Sequence, residues 1–166
     1  MLDELFPVQF VEGLNEGAEL SDINSLVITG YSGVGIQYTP SLSYSLTKLE
    51  TMLTCGNGLD GAEIKICIYS DYKDKPSDIQ LSSGSFVPKK VYGEWRIVTL
   101  NPISIIKDRI YWITIHPNGY AVAFVIPKTG QNSILSFKKF KKWEALPEYA
   151  EGGKVMLKFY GRILPV

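Results

Sequence analysis

Histidine and cysteine are scarce in this sequence: its 166 residues include one histidine, His116, and two cysteines, Cys55 and Cys67. Transition-metal catalytic sites usually gather two or three imidazoles or thiolates, so the chain cannot supply a histidine-rich metal centre. A Ser-His-Asp or Cys-His mechanism would have to use His116 alone. Two cysteines also cannot build the multi-bridge framework of small secreted scaffolds. Glycoside hydrolysis needs only two carboxylates, so the sequence leaves it open as an alternative. We nevertheless expect a protein that is not an enzyme.

Net charge is also absent, because 17 basic residues balance 17 acidic ones. This balance removes the overall positive field that a dedicated nucleic-acid binder carries. The first twenty residues are acidic, contain Pro7, and lack both a cationic start and an uninterrupted apolar run. They therefore resemble neither a signal peptide nor a membrane span. We expect no membrane span and no nucleic-acid partner.

Helix signals are weak. The best helical candidate lies near the N-terminus, but Pro7 and Gly13 interrupt it, so we expect an N-terminal arm or a first edge segment over residues 1–25. The length of the chain suits one domain with one substantial core. We expect that domain to span residues 26–166, with an insertion at residues 128–153.

Strand patterns are strong by comparison. Near the C-terminus, side chains alternate in the way that is typical of a strand with one wet face. The inward set is Val155, Leu157, Phe159 and Ile163, and the outward set is Met156, Lys158, Tyr160 and Arg162. Weaker strands, each bounded by turn-forming residues, are predicted at 26–29, 34–39, 85–87, 95–100 and 133–137. Eight to ten short strands favour a sandwich or barrel, and we predict an all-β, antiparallel two-sheet β-sandwich of jelly-roll type.

A first hairpin is predicted around residues 56–61. Leu53 would then lie opposite Ile64, in a register that gathers apolar residues on one face. In this register Cys55 and Cys67 project from opposite faces of one sheet. We therefore predict two free thiols.

A second hairpin is predicted at Asn118-Gly119, because this dipeptide supplies the positive φ angles of a two-residue turn. Counting outward pairs Ile115 with Val122 and Ile113 with Phe124, a set that should face the core. The opposite face would carry Trp112, Thr114 and His116 over the small residues Ala121 and Ala123. An aromatic and two polar groups above a shallow floor could form a ligand platform. The alternative is that another segment of the same chain covers the tryptophan.

The run from Leu42 to Gly161 resembles the jelly-roll modules of bacterial extracellular and cell-surface proteins, which are similar to carbohydrate-binding modules. The matching pieces, in order, are residues 46–54, 66–71 with 75–77, 81–84, then Trp95, Val98 and Leu100, then 110–115 and 157–161. The resemblance implies a non-catalytic module for adhesion or glycan recognition. Separately, we expect an extracellular or virion-surface location rather than a cytoplasmic one.

Aromatic residues are abundant, with ten tyrosines, three tryptophans and seven phenylalanines, and some should reach the surface to stack on sugars or anchor a protein. The leading hypothesis is a surface-recognition module that binds glycan or a cell-surface polymer. Its predicted ligand-binding residues are Trp112, Tyr120, Tyr92, Tyr72, Trp143 and His116. The alternative is a structural subunit, such as a virion decoration or tail-associated protein, that docks on neighbouring subunits through the N-terminal arm.

A calcium site is a further hypothesis. Asp71, Asp74 and Asp78 lie close together in sequence, and oxygen-rich loops of such sandwiches can hold Ca²⁺. Lys73 and Lys75 lie among them and would compete with the cation. The alternative is a polar turn in which Asp71 caps local backbone.

Residues 137–143 combine lysines with aromatic rings. The run could track phosphates while Phe140 or Trp143 stacks on bases. The favoured alternative is a strand whose Phe137 packs inward while its lysines stay solvated.

Overall fold

The computed structural model describes residues 5–17, 23–28, 33–55, 63–87, 95–117, 122–127, 130–131, 133–139, 142–145 and 154–164. These residues form thirteen strands, and no helix among them is long and apolar enough to cross a membrane. The strands are β1 Gln9–Leu14, β2 Ile23–Ile28, β3 Gly33–Tyr38, β4 Tyr44–Thr51, β5 Leu53–Cys55, β6 Ile64–Tyr72, β7 Lys75–Phe86, β8 Arg96–Ile105, β9 Tyr111–Pro117, β10 Val122–Pro127, β11 Leu135–Lys139, β12 Lys142–Ala145 and β13 Leu157–Arg162.

Two antiparallel sheets form a sandwich. The four-stranded sheet has the order β1-β13-β4-β8, and the six-stranded sheet has the order β12-β11-β3-β9-β6-β7. When β1, β3, β4, β6, β7, β8, β9 and β13 are counted along the chain, these orders become 1-8-3-6 and 2-7-4-5, the two interleaved Greek keys of a jelly roll. The predicted jelly-roll sandwich is therefore confirmed. The hairpin β11-β12 and a separate three-stranded sheet, β2-β10-β5, raise the strand count above the eight to ten expected.

The core lies between the two sheets. Every second residue of β9 enters it, namely Tyr111, Ile113 and Ile115, and the four-stranded sheet contributes Leu49 and Phe159 among others. Burying each such side chain stabilises the fold by roughly 1.5–3 kcal/mol. The predicted alternation is confirmed within β13, since its residues are buried and half-buried in turn. It is wrong at both ends, because Met156 is buried beneath Trp95 and Ile163, which lies past the end of the strand, is exposed.

In both predicted hairpins the pairing of the two strands is wrong. β4 pairs with β13 and β8, β5 pairs with β10, and β6 pairs with β7 and β9. β9 lies between β3 and β6, whereas β10 pairs with β2 and β5. Turn signals report only local geometry, and several apolar strands compete for each partner. Residues 56–62 and 118–121, which include both proposed turns, lie outside the described residues.

The thiol prediction is confirmed for one residue. Cys67 is a free, buried cysteine. Cys55 lies on β5, and its side chain is outside the described residues. For Cys55 the free thiol stays a prediction.

The predicted N-terminal arm contains β1, an edge strand on β13. Glu12 attaches this strand to the core: its Oε1 accepts hydrogen bonds from the Tyr38 hydroxyl at 2.6 Å and the Ser41 amide at 3.0 Å. Its Oε2 accepts one from Ser41 Oγ at 2.6 Å. At least residues 9–14 of the arm therefore belong to the sandwich, and the boundaries of the arm and of the 128–153 insertion stay predictions.

A line of β-bulges crosses the four-stranded sheet. The pairing register shifts between Phe10 and Glu12 in β1, between Tyr160 and Gly161 in β13, and between Leu46 and Lys48 in β4. A side chain at Gly161 would clash with the Ser45 carbonyl oxygen, so this close approach of β13 to β4 requires glycine. Bulges bend strands and redirect side chains. All three register shifts adjoin Phe10, Tyr160 or Lys48, which are paired across β1, β13 and β4.

Candidate functional site

The predicted platform lies on the outer face of the six-stranded sheet, where Trp112, Thr114 and His116 project away from the core. The alternation along β9 was therefore predicted correctly. Trp112 is nevertheless 0% exposed, and its indole Nε1 donates a hydrogen bond to Asp71 Oδ1 at 2.8 Å. Thr114 is also fully buried.

The cover comes from the edges of the same sheet. β12 and β7 lie at opposite ends of the strand order, yet they contact each other across this face. A Cβ on Gly35 would lie 3.1 Å from Pro76 Cγ, 3.4 Å from Trp112 Cε3 and 3.4 Å from Trp143 Cζ3, so both rings close over the glycine. Trp112 thus offers no ring face to a ligand, which corrects the platform hypothesis. Its alternative, coverage by another segment of the chain, is the arrangement found.

His116 belongs to the same covered face. Its Nε2 lies 2.8 Å from Thr114 Oγ1, and that hydroxyl donates to the Cys67 carbonyl at 3.2 Å. Because the hydroxyl has one proton, the imidazole Nε2 is the donor toward Thr114. Burial, and then the nearby ammonium groups of Lys138 and Lys65, lower the pKa of His116 to about 4. The imidazole is therefore neutral at neutral pH.

The other predicted ligand residues are scattered. Trp143 is half-buried, with its ring at the edge of His116 at 5.9 Å, so it serves as part of the cover. Tyr72 is 62% exposed at the β6-β7 turn, where Lys73 Nζ lies 5.2 Å from its ring. Tyr92 and Tyr120 lie outside the described residues. The structure therefore brings Trp112, Trp143 and His116 together, but as packing.

The calcium hypothesis is not supported by the geometry. Among the described residues no three carboxylate, imidazole or thiol groups gather, although Asp71, Asp74 and Asp78 are all described. Asp71 accepts the Trp112 indole proton, whereas Asp74 lies in the turn and Asp78 is exposed on β7. Lys73 and Asp74 have φ angles of 51° and 61°, which makes a type I′ turn between paired strands. The polar-turn alternative is correct, with Asp71 binding an indole rather than backbone.

The described residues of the run 137–143 belong to β11 and β12, which pair antiparallel. Lys138 pairs with Trp143, and its Nζ lies 5.8 Å from the Trp143 ring. The strand expected for the first part of this run is present. The orientation of Phe137 and both Phe140 and Lys141 lie outside what the structure describes.

A different surface brings aromatic and charged side chains together. On the outer face of the four-stranded sheet, Phe10 of β1 packs edge-on against Tyr160 of β13, with ring centroids 5.7 Å apart at 72°. Lys48 of β4 places its Nζ 5.4 Å from the Tyr160 ring centroid. We call this surface the aromatic-lysine face; its members are Phe10, Lys48, Glu50, Trp95, Lys158 and Tyr160.

The second half of this face is built around Trp95. One part of the Trp95 side chain packs on the buried pair Met52 and Met156. The Nζ of Lys158 lies over the indole, 4.1 Å from its centroid. A thioether pair against an indole is a favourable contact that fixes the ring in place.

A carboxylate completes the face. Burial, and then a hydrogen bond to Glu50, raise the pKa of Tyr160 to about 12. Tyr160 pairs with Lys48, and Lys158 pairs with Glu50. The carboxylate of Glu50 therefore lies opposite one lysine and two residues along β4 from the other. Phe10 is 47% exposed and Ile97, beside Glu50, is 56% exposed, so this face is open where the other is closed. It can present ring surfaces, ammonium donors and a carboxylate acceptor to one ligand.

Sequence reasoning found only part of this site. The alternation of β13 correctly put Lys158 and Tyr160 on the wet face. Phe10 and Lys48 join them through pairings with β1 and β4. Pairing between strands that are far apart in the chain produces no recognisable pattern in the sequence of either strand.

A polar groove of about 440 Å³ lies at one end of the sandwich. Its wall includes Asn15, Gln37 and Ser133, and no aromatic residue lines it. The Asn15 side chain is already engaged, donating to the Gln131 carbonyl at 2.8 Å and accepting from the Gln131 amide at 2.8 Å. The groove therefore lacks the stacking surface that the aromatic-lysine face has.

No protein-family model matches this chain, and no curated protein matches it. A solved structure that it resembles is that of a family two carbohydrate esterase from Cellvibrio japonicus, at 13% sequence identity and a TM-score of 0.32. The match covers 97% of this chain and 35% of the esterase chain. The chain thus spans about a third of that protein's length, and a likeness this weak carries no argument about activity.

Proposed function

We propose that this chain is a non-catalytic recognition module that binds glycan, or a cell-surface polymer, on the aromatic-lysine face. The observation that carries the proposal is the meeting of Phe10, Tyr160 and Trp95 with two ammonium groups and a carboxylate on one open sheet face. Sugars have apolar ring faces and polar edges, so they need this combination of flat rings and hydrogen-bonding groups.

Binding without chemistry fits the position of the one histidine. His116 is in contact with Thr114 and with the edge of Trp143, on the covered face. Thr114 is fully buried, so a substrate has no access to that hydroxyl. A general base needs a nitrogen free to take a substrate proton, and His116 Nε2 is engaged by Thr114.

Affinity electrophoresis through gels containing a panel of polysaccharides tests the proposal. Truncating a ring at the centre of a binding surface costs roughly 1–2 kcal/mol, so Tyr160→Ala and Phe10→Ala should each weaken binding about five- to thirtyfold. Tyr72→Ala is the matched control, because Tyr72 is an exposed tyrosine beside a lysine at the far turn.

Binding at the aromatic-lysine face is supported if polysaccharide retards the migration of the wild type and Tyr72→Ala but not that of Tyr160→Ala. Equal loss in all three variants, or no retardation by any polysaccharide, would overturn it. Thermal melting of each variant separates lost binding from lost folding.

The structural-subunit hypothesis keeps support from one observation. Exposed apolar side chains surround the free edge of β1 and the end of β13, and they are Leu5, Val8, Phe10, Ile163 and Leu164. Because Gln9 pairs with Gly161, both groups lie at the same end of the edge. An edge strand with apolar neighbours can pair with another chain.

Light scattering after size-exclusion chromatography tests this second function. Val8→Lys is the informative variant, since Val8 lies outside the aromatic-lysine face and is exposed. Oligomers that dissociate in Val8→Lys support a subunit role. A monomer at every concentration argues against self-assembly through this edge.

A further inference from the structure

We infer that the glycan recognised by the aromatic-lysine face is acidic, with a carboxylate or sulfate on the sugar ring. The inference rests on the proposed function and adds the class of ligand. Its basis is the place of the two ammonium groups: each lies over an aromatic ring, at 5.4 Å for Lys48 on Tyr160 and 4.1 Å for Lys158 on Trp95. The rings that would stack on a sugar are thus the rings that already hold cations.

The charged groups of this face have both signs. Lys48 and Lys158 project from its strands with Glu50, whereas Glu12 turns inward to Tyr38 and Ser41. The Glu16 carboxylate also lies at this face, because its Oε2 is 2.7 Å from the Cβ position of Gly13, which pairs with Lys158. The position of the two ammonium groups over the rings, and not a net positive charge, therefore favours an anionic sugar.

Displacement of the lysines distinguishes neutral from acidic sugars. A neutral sugar that stacks on Tyr160 or Trp95 must push an ammonium group off the ring, and at an exposed site this costs about two- to fivefold in affinity. An acidic sugar lets the ammonium group move to the ring edge and donate to the anion, a charge-assisted hydrogen bond. Moving the ammonium group off the ring therefore weakens the binding of a neutral sugar. For an acidic sugar, the new hydrogen bond to the anion compensates for the lost cation-π contact.

Isothermal titration calorimetry with four polymers tests the inference. Polygalacturonate carries carboxylates, dextran sulfate carries sulfates, dextran is neutral, and polyacrylate is anionic but has no sugar ring. We expect polygalacturonate or dextran sulfate to bind at least fivefold more tightly than both dextran and polyacrylate. The difference between the two anionic polysaccharides identifies the anion.

Lysine variants locate the effect. Lys48→Gln and Lys158→Gln keep most of the side chain and remove the charge, so each should lower affinity for the acidic polymer roughly three- to fivefold. Each should also tighten dextran binding about two- to fivefold, because no ammonium group then has to leave the ring. Lys75→Gln is the matched control, an exposed lysine on the six-stranded sheet.

Three outcomes would overturn the inference. If dextran binds as tightly as the acidic polymers, the module binds glycan without charge selection and the proposed function survives. If polyacrylate binds equally well, the attraction is electrostatic and needs no sugar. If no polysaccharide binds, the proposed function fails with it.

Discussion

The two outer faces of this sandwich have similar patterns of side chains but differ in how exposed their aromatic residues are. Each presents a tryptophan or tyrosine with lysines on strands that alternate in the same way. On the six-stranded sheet Trp112 is buried beneath Pro76 and Trp143, whereas on the four-stranded sheet Tyr160 and Phe10 remain open to a ligand. An outward aromatic in a strand therefore becomes a binding group only where its sheet leaves it uncovered.

Strand number explains the difference. Adjacent strands rotate by about 20–25°, so the edges of a six-stranded sheet differ by roughly 100–125° and those of a four-stranded sheet by roughly 60–75°. The added hairpin β11-β12 extends the longer sheet until β12 contacts β7. Among the described residues the shorter sheet has no such extension, and Phe10 and Ile97 on its outer face are exposed.

The largest expected effect is Trp112→Ala. The change leaves a cavity under Trp143 and removes the indole donor from Asp71, so the free energy of unfolding should fall by about 3–5 kcal/mol. Urea denaturation measures it. Tyr72→Ala, at an exposed aromatic, should change stability by less than about 0.5 kcal/mol. Equal stability of the two variants would contradict a covered face.

The second largest expected effect is a loss of stability at acid pH through His116, on the covered face. The folded-state pKa of His116 is about 4 against an ordinary value of 6.5, so the unfolded chain takes up the proton first. Stability is therefore unaffected well above pH 6.5, falls as the pH drops from 6.5 to 4, and loses about 3 kcal/mol in total, since each unit of pKa difference corresponds to about 1.4 kcal/mol. The ammonium groups of Lys138 and Lys65 also face His116.

The measurement is urea denaturation across this pH range for the wild type and His116→Gln. Subtracting the variant's curve removes the contribution of the carboxylates. Parallel curves would show that His116 is not buried as the structure has it.

A smaller loss is expected for Gly35→Ala. The new methyl group would meet Pro76, Trp112 and Trp143, and relieving this overlap should cost about 1–2 kcal/mol. Gly17→Ala is the matched control, because no atom lies within 4 Å of its Cβ position. That variant should be neutral or slightly more stable. A thermal melt of both separates the cases, and a neutral Gly35→Ala would mean that the cover is loose.

The smallest effect on stability is expected on the open face. Lys48→Gln and Lys158→Gln lose exposed cation-π contacts only, so the free energy of unfolding should change by less than about 0.5 kcal/mol while binding of the acidic polymer weakens. Chemical denaturation beside calorimetry checks this separation. A drop above 1 kcal/mol would assign these lysines a structural role instead.

Much of the fold was predictable, but its pairings were not. The alternation in β9 and β13 correctly sorted Ile113, Phe159 and their neighbours inward. The proposed partners of Ile113 and Cys55 were wrong, because many β strands of similar length and hydrophobicity present equivalent apolar faces. For the same reason the sequence pattern singled out Trp112, which is covered, and did not single out Tyr160.

The sequence by itself determined which side chains of each strand share a face, since neighbouring residues of an extended chain must point to opposite sides. It also determined the class of fold, through the number of short strands and their turns. Only the tertiary structure decided which of those faces is covered. That outcome depends on how far each sheet extends and curls, and on pairings such as Phe10 with Tyr160 between residues at opposite ends of the chain.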